Sequence, residues 1–225
     1  MRGIRLSSLK NCVVYFDFDN TITPFDILDD IISRFSIDKN WAAFEKSWKN
    51  GKIGSGQCLK GQLKSVRINK KDLSRYLAKI KIDRHFHKLF DMLKREGIKP
   101  VILSDSFTSF IKPVLGNNGV KNVKIYANTL RFSGDRLIPS FPYKNKNCPR
   151  CAHCKKKNLL KKEIRDKLII YIGDGLSDVC PAECSDMVFA KSAGRLLEHF
   201  RKTKKLCLAF DNLKDICDYF KGLEG

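Results

Sequence analysis

Two carboxylates, one residue apart, follow an apolar segment near the start of this 225-residue chain. The segment Cys12-Val13-Val14-Tyr15-Phe16 is typical of a buried strand, and Asp17 and Asp19 come directly after it. Alternate residues of an extended chain point to the same side, so the two carboxylates can face one point. Such anions raise each other's pKa unless a cation lies between them, and Mg²⁺ prefers oxygen ligands. A solvated loop is the alternative interpretation of this pair.

The residues after the pair favour a site over a solvated loop. Asn20-Thr21-Ile22-Thr23-Pro24 combines a turn-forming residue, hydroxyls that can cap a helix, and a proline suited to the first helical turn. The carboxylates are therefore expected in a strand-to-helix turn, where free backbone N–H groups suit a phosphate.

Two later apolar segments also end in polar side chains. Pro100-Val101-Ile102-Leu103 leads into Ser104-Asp105-Ser106, and the segment 168–172 leads into Gly173-Asp174-Gly175-Leu176-Ser177-Asp178. Parallel strands place their carboxyl ends at one edge of a sheet, so these groups are predicted to lie beside the first pair. A lysine-rich helix predicted over about 155–166 lies between them in sequence. Carboxylates, a hydroxyl and a lysine at one edge indicate phosphoryl transfer.

Hydrophobic periodicity predicts the elements that hold these groups. From 24 to 83 the apolar residues recur at helical spacing without a strand, which predicts a helical cap. Strand and helix then alternate, which favours an α/β fold with a Rossmann-like parallel sheet and right-handed crossovers. The predicted catalytic core comprises 1–23 and 84–225. A β-hairpin over 129–141 and a cysteine-rich segment are expected to form a small insert in the core.

The chain is strongly basic, with 44 Lys and Arg against 24 Asp and Glu, a net charge of +20. Nucleic-acid binding, attraction of anionic phosphate esters and a merely solvated basic surface are all compatible with this charge. The basic residues are spread along the whole chain, and no recognition motif with interleaved aromatic residues stands out. A small phosphorylated metabolite, rather than nucleic acid, is therefore the expected partner.

The cysteine content and the distribution of apolar residues predict a cytoplasmic location. Nine cysteines in a chain without a recognisable signal peptide suit a reducing compartment. The apolar run after Lys10 is interrupted at Asp17, and no apolar run approaches the length of a membrane span. No membrane partner is expected.

The spacing of Cys148, Cys151 and Cys154 can hold a metal. A structural Zn²⁺ would need a fourth ligand from His153, Cys180 or Cys184. A [4Fe–4S] cluster is a weaker possibility because no fourth cysteine is adjacent. Small thiols buried in a tight loop are the alternative.

The motifs together resemble the haloacid dehalogenase superfamily of phosphatases. They are Asp17-Phe18-Asp19-Asn20-Thr21, Ser104 after an apolar strand, a lysine, and Gly173-Asp174-Gly175-x-x-Asp178. The predicted helical cap resembles the cap of that superfamily. Leu103-Ser104-Asp105 and the segment from Cys148 to Lys155 resemble two groups of its subfamily IB: the phosphoethanolamine/phosphocholine phosphatases and the methionine-salvage phosphatase acting on a methylthiopentenyl phosphate. Phosphoserine phosphatase is a more distant relative.

The resemblance implies an aspartyl-phosphate mechanism. Asp17 would attack phosphorus, and Asp19 would protonate the leaving group and then activate water. Mg²⁺ would be held by Asp17, the backbone carbonyl of Asp19 and Asp174, with Asp178 supporting the metal or the lysine. A helix N-terminal charge is the alternative role for Asp178. Ser104 would bind the phosphate.

The resemblance also implies a catalytic lysine, which we assign to Lys155 because it directly follows Cys154. Lys156 and Lys157 are rivals, since a small shift in helix phase would bring either of them to the same place. Asp105, with Ser106 beside it, could pair with a cationic leaving group, or instead cap the following helix.

The expected activity is Mg²⁺-dependent hydrolysis of a small phosphomonoester. A phosphotransferase or phosphomutase of the same superfamily is the first alternative, since Asp19 suits either reaction. A basic nucleic-acid-binding protein is the alternative from a different class, and it would not need Asp17.

Overall fold

One sheet of seven strands organises the chain, whose computed structural model describes residues 11–160 and 166–222. The strands are β1 (Cys12–Phe16), β2 (Lys99–Phe107), β3 (Lys124–Ser133), β4 (Arg136–Ser140), β5 (Leu168–Gly173), β6 (Met187–Lys191) and β7 (Leu208–Phe210). Their order is β4-β3-β2-β1-β5-β6-β7, and every neighbouring pair is parallel except β3 and β4. The predicted α/β class with a mostly parallel sheet is confirmed.

Ten α-helices connect and cover these strands in the described ranges. They are α1 (Ile27–Phe35), α2 (Trp41–Lys49), α3 (Ser55–Leu63), α4 (Lys70–Leu77), α5 (Phe86–Arg95), α6 (Thr108–Asn117), α7 (Lys155–Leu159), α8 (Val179–Ala182), α9 (Arg195–Thr203) and α10 (Leu213–Lys221). The predicted basic helix begins at Lys155, and the part of it over 161–165 lies outside the described residues. In the described part of the chain, no helix has both the length and the apolar character needed to cross a bilayer.

Strand β1 lies at the centre of the sheet and is buried on both faces. Val14 and Phe16 pack into the larger apolar cluster, and Val13 and Tyr15 pack into the cluster on the opposite face. All five residues of the strand are buried, as expected where helices cover both faces of a parallel sheet. The carboxyl end of β1 therefore opens between β2 and β5, where parallel sheets bind ligands.

The four helices α1 to α4 lie over 27–77 without an intervening strand, as the periodicity predicts. The division into a cap over 24–83 and a separate core remains a prediction. Apolar residues of α1, α3 and α4 belong to the same buried cluster as one face of the sheet. The N–H of Ile68 also donates to the Asp135 carbonyl in the β3–β4 turn at 2.8 Å. Helix-to-sheet packing therefore holds this segment against the core.

Strands β2 and β3 are longer than the sequence predicts. β2 continues through Ser104 to Phe107, because the next strand still pairs with it: Phe107 lies opposite Asn128, after a register shift that begins at Leu103. β3 pairs in parallel with β2 over its first half and antiparallel with β4 over its second half. The predicted hairpin, which turns at Gly134, is confirmed, and its first strand is continuous with the part of β3 that pairs with β2.

Candidate active site

A buried ion-pair cluster occupies the carboxyl ends of β1 and β5. The ammonium group of Lys155 lies 2.9 Å from Asp17 Oδ1 and 2.7 Å from Asp178 Oδ1. The Lys155 side chain is 1% exposed, and those of Asp17 and Asp178 are 9% and 0% exposed. Lys156 and Lys157, one and two residues further along α7, are exposed. The phase of α7 therefore brings Lys155, and neither rival, to Asp17.

The backbone after β1 fixes the position of Asp17. Its N–H donates to the Ile172 carbonyl of β5 at 2.8 Å, which extends the strand pairing by one residue. Its Oδ1 accepts from the Phe18 N–H at 2.8 Å. Burial and the negative charge of Asp178 raise the pKa of Asp17 well above its usual range, and the charge of Lys155 opposes that rise. A cation beside this carboxylate would favour its charged form.

Asp19 is oriented by the first turn of helix α1. Its Oδ1 accepts from the Ile27 N–H at 2.9 Å, a donor left free at the start of the helix. Burial, followed by the negative charge of Asp26, raises the pKa of Asp19 well above the ordinary value. The Ile27 N–H therefore orients the Asp19 side chain, and burial favours its protonated form.

Three carboxylates of the described residues could share a metal ion. Asp17, Asp174 and Asp178 each offer an oxygen, and these oxygens lie within 4.8 Å of one another. Burial, then the charge of Asp178, raises the pKa of Asp174 to about 7. The Thr21 hydroxyl donates to Asp174 Oδ1 at 3.3 Å. The negative charge of these buried carboxylates is only partly neutralised, and carboxylate oxygens are ligands that Mg²⁺ prefers. The three residues therefore fit the predicted metal.

Asp178 accepts hydrogen bonds from both sides of the site. Besides Lys155, the Tyr171 hydroxyl donates to its Oδ1 at 2.7 Å, and the N–H groups of Asp174 and Gly175 donate to Oδ2 at 3.0 and 2.9 Å. Although burial disfavours its charged form, the charge of Lys155 and these hydrogen bonds hold the pKa of Asp178 below its ordinary value. Both oxygens of Asp178 already accept hydrogen bonds. This carboxylate is therefore suited to holding Lys155 and the backbone of residues 174 and 175 in place.

The polar residues of β2 line the same cleft. Ser104 is 1% exposed, and its hydroxyl accepts from the Ser106 N–H at 3.0 Å. Asp105 Oδ1 is buried without a hydrogen-bond partner among the described residues. Helix α6 begins at Thr108, and the residue at its N-cap is Phe107, so Asp105 does not cap this helix. Burial raises the pKa of Asp105 to about 6, although the positive charge of Lys155 acts to lower it.

The cleft has a volume of about 290 Å³ and lies between the strand ends and helices α1, α2 and α3. Its floor contains Asp17, Asp19 and Ser104, and its cap side contains Glu45 and Trp48. Glu45 accepts from the Gln62 amide at 3.0 Å and pairs with Lys49 at 2.9 Å. The space is large enough for a small phosphate ester, and its cap side is polar.

The described residues give no support to the predicted zinc site at the three cysteines. Among the described residues, the carboxylates of Asp17, Asp174 and Asp178 converge closely enough to hold a metal, whereas the sulfurs of Cys148, Cys151 and Cys154 do not. The physical reason is the start of α7: Cys154 is its N-cap residue and is buried, while Cys148 and Cys151 remain in the partly exposed loop before it. All nine cysteines are free.

The loop that contains the three cysteines, residues 148–154, connects helix α3 with the start of α7. The Ser55 N–H at the start of α3 donates to the Arg150 carbonyl at 2.7 Å, and the Ala152 N–H donates to the Ser55 hydroxyl at 2.7 Å. A Cβ added to Gly54 would lie 2.3 Å from the Pro149 carbonyl oxygen, so the loop approaches α3 too closely for a side chain there.

Several site residues escaped the sequence analysis. Tyr171 is the one polar side chain in the apolar run of β5, a signal that could have been noticed. Thr21 lies in the first motif but was given no contact. Lys191, at the end of β6, donates to the Asn20 carbonyl at 2.7 Å, and nothing in the sequence links these distant residues. The position of His153 among the cysteines predicts a zinc ligand, yet its Nδ1 lies 2.9 Å from the backbone carbonyl oxygen of Ser104.

Comparison with known proteins gives matches over most of the chain. The sequence model of the Putative Phosphatase family matches residues 12–210. A 2-hydroxy-3-keto-5-methylthiopentenyl-1-phosphate phosphatase of Brevibacillus brevis is 29% identical over 189 residues, which cover 81% of this chain and 84% of that protein. A protein of the same name from Bacillus pumilus is 24% identical, with 94% and 96% covered.

Among solved structures, a phospho-aspartyl intermediate analogue of phosphoserine phosphatase superposes with a TM-score of 0.70. It is 18% identical in sequence, and the match covers 93% of this chain and 98% of the other. At this identity the similarity establishes the shared fold, in agreement with the sheet order described above.

Proposed function

Since this chain belongs to the Putative Phosphatase family, within the haloacid dehalogenase superfamily, we propose that it is a Mg²⁺-dependent phosphatase of a small phosphomonoester. The reaction passes through an aspartyl-phosphate on Asp17. The observation that carries this proposal is the buried pairing of Lys155 with Asp17, which lies on the floor of the cleft beside two further carboxylates. A structural role alone gives no reason to concentrate so many ionisable groups in one buried place.

Asp17, Asp174 and the backbone carbonyl of Asp19 would hold the Mg²⁺, with Asp178 supporting them. The ion, when bound, offsets the repulsion between an anionic nucleophile and an anionic substrate. The raised pKa values of Asp17 and Asp174 support this assignment, because a bound cation would stabilise both charged forms.

The phosphoryl group is bound between Ser104 and Lys155. The Ser104 hydroxyl donates to a phosphate oxygen, and Lys155 neutralises charge on the transferring group. Asp17 attacks phosphorus from below while the leaving oxygen departs toward the cap. Because Lys155 already contacts Asp17, it lies close to where the new bond forms.

Asp19 transfers the proton. Burial keeps its pKa high, so it can give a proton to the departing alkoxide. Once ionised, it takes a proton from the water that cleaves the aspartyl-phosphate. The Ile27 N–H donates to its Oδ1 and holds the carboxyl in place through both steps.

Product analysis and the Asp17→Asn variant test the proposal. The purified protein is assayed with Mg²⁺ on a panel of phosphorylated metabolites, including the methylthiopentenyl phosphate named for its relatives, phosphocholine and phosphoethanolamine. We expect turnover of at least one ester, no turnover after chelation, and none by Asp17→Asn with an unchanged circular dichroism spectrum. Full activity of Asp17→Asn would contradict the covalent mechanism.

The same assays separate the other activities. Transfer of phosphate to an added alcohol, in place of release as inorganic phosphate, would indicate a phosphotransferase. Salt-sensitive binding of single- or double-stranded nucleic acid that survives the Asp17→Asn change would indicate a nucleic-acid-binding protein. We place the enzyme in the cytoplasm, because nine free cysteines suit a reducing compartment.

A further inference from the structure

A buried histidine joins the strand that carries Ser104 to the loop that carries Lys155. His153 is 1% exposed and lies two residues before Lys155. Its ring nitrogen Nδ1 lies 2.9 Å from the carbonyl oxygen of Ser104, and Nε2 lies 2.7 Å from the Asn158 side-chain nitrogen in α7. A single imidazole therefore bridges β2, the loop and the helix.

The partners of the ring determine where its proton lies. A backbone carbonyl only accepts hydrogen bonds, so Nδ1 must carry the proton and donate to Ser104. The NH₂ group of Asn158 only donates, so Nε2 must offer its lone pair. With the Asn158 amide oriented as it is in the structure, a ring that carries its proton on Nδ1 satisfies both contacts.

Packing fixes the orientation of the ring. The Tyr143 ring stacks on it with centroids 4.9 Å apart and an interplanar angle of 27°. The Cys154 N–H donates to the Tyr143 carbonyl at 3.0 Å, which ties the loop to the same residue. His153 thus has its plane and both ring nitrogens constrained, which leaves it little freedom to change its distance from Ser104.

We propose that His153 is a positioning residue that sets the separation between the Ser104 hydroxyl and the Lys155 ammonium group. The proposal rests on the function proposed above, in which those two groups bind the transferring phosphoryl group. His153 does not touch the substrate. It holds the Ser104 backbone by one nitrogen and the first turn of the lysine helix, through Asn158, by the other.

Two substitutions at this position distinguish positioning from packing. His153→Phe keeps a flat ring against Tyr143 and removes both hydrogen bonds. His153→Asn places an amide nitrogen close to the position of Nδ1, so it can still donate to the Ser104 carbonyl. Displacement of reacting groups by about 1 Å can cost about 100-fold in rate, so we expect kcat of His153→Phe to fall about 10- to 100-fold. KM should change by less than about 3-fold, because the two groups act most strongly in the transition state.

The matched control is Phe220→Leu, a fully buried change in α10, remote from the cleft. It should lower the denaturation midpoint while leaving kcat unchanged. His153→Asn should recover part of the kcat that His153→Phe loses. Wild-type kcat in His153→Phe, a loss confined to KM, an equal loss of kcat in the control, or no recovery in His153→Asn would each overturn the proposal.

A spectroscopic measurement tests the bridge without any turnover. The chain has four histidines, and nitrogen-detected NMR of the full-length protein with labelled histidine reports the protonation of each ring. We expect one ring with a proton on Nδ1 and a bare Nε2, whose signals disappear in His153→Asn. The opposite tautomer or an imidazolium at this position would overturn the proposal. A wild-type protein that hydrolyses no ester would instead refute the proposed function, and the NMR result would still decide whether the bridge exists.

Discussion

Lys155→Met tests the electrostatics of the site through stability rather than activity. The substitution keeps a long, unbranched side chain in the same space and removes the charge. In the wild type the ammonium group touches Asp17 Oδ1 and Asp178 Oδ1 and also donates to the Ser177 hydroxyl at 3.3 Å. The variant therefore leaves two carboxylates facing each other without the cation between them.

The size of the effect follows from burial. Lys155 and Asp178 are 1% and 0% exposed at their side chains, so solvent cannot replace the lost partner. Removing one partner of such a buried pair costs about 3 to 5 kcal/mol in the free energy of unfolding. The carboxylates can escape part of this cost by binding protons, which raises their folded-state pKa values. A carboxyl whose pKa is raised in the folded state lowers the free energy of unfolding more and more as pH rises. The free energy of unfolding that the variant loses should therefore be larger at pH 8 than at pH 5.

The measurement is urea unfolding followed by circular dichroism, with and without Mg²⁺. The control is Lys156→Met, which removes the same charge from the adjacent, exposed residue and should change the free energy of unfolding by no more than about 0.5 kcal/mol. Added Mg²⁺ should reduce the deficit of Lys155→Met, because the ion supplies positive charge to the same carboxylates. A deficit below about 1 kcal/mol at pH 8, or equal deficits in the two variants, would refute the argument that Lys155 compensates buried charge.

Three further predictions follow from the neighbouring geometry. A Cβ added to Gly194 would lie 2.4 Å from the Asp174 carbonyl oxygen, so Gly194→Ala should raise the Mg²⁺ concentration for half-maximal activity, whereas Gly116→Ala, with open space around it, should not. The folded-state pKa of Asp174, about 7, exceeds its unfolded value of about 4, so its contribution to the stability of the metal-free protein should fall between about pH 4 and pH 7; a difference in free energy of unfolding between the wild type and Asp174→Asn that stays constant over this range would contradict the assignment. Asp105→Asn should lower kcat/KM for phosphocholine more than for glycerol phosphate, because Asp105 Oδ1 lacks a partner in the cleft; equal losses would contradict pairing with a cationic leaving group.

The strand ends were predictable because their chemistry contrasts with the strands before them. Asp17 and Asp174 each follow a continuous apolar run, so their positions at one edge of a parallel sheet follow from strand order alone. Lys155 was assigned from its place next to Cys154. The phase of α7, which buries Lys155 and exposes Lys156, depends on how the loop before it packs and could not be read from helical periodicity over five residues.

The contacts that hold the site together were harder to predict. Ser104-Asp105-Ser106 has the composition of a loop, and it continues as strand because β3 extends far enough for the Asn128 amide to donate to the Asp105 carbonyl at 2.6 Å. His153 lies beside three cysteines, a setting that favours a metal ligand, and only the folding of the loop onto β2 gives it a different partner. Interactions between residues so distant in sequence depend on tertiary packing, which local patterns do not encode.

The attachment of the cysteine loop to Ser55 restricts how the cleft can admit its substrate. Swinging α3 outward as a rigid body would break both backbone-anchored hydrogen bonds at Ser55 and pull on a loop that ends at Lys155. The start of α3 at Ser55 is therefore fixed to the loop that leads to Lys155. Movement of α2, which carries Trp48 and Glu45 on the cleft, would break neither hydrogen bond at Ser55, although it would break the contact of Glu45 with Gln62 of α3.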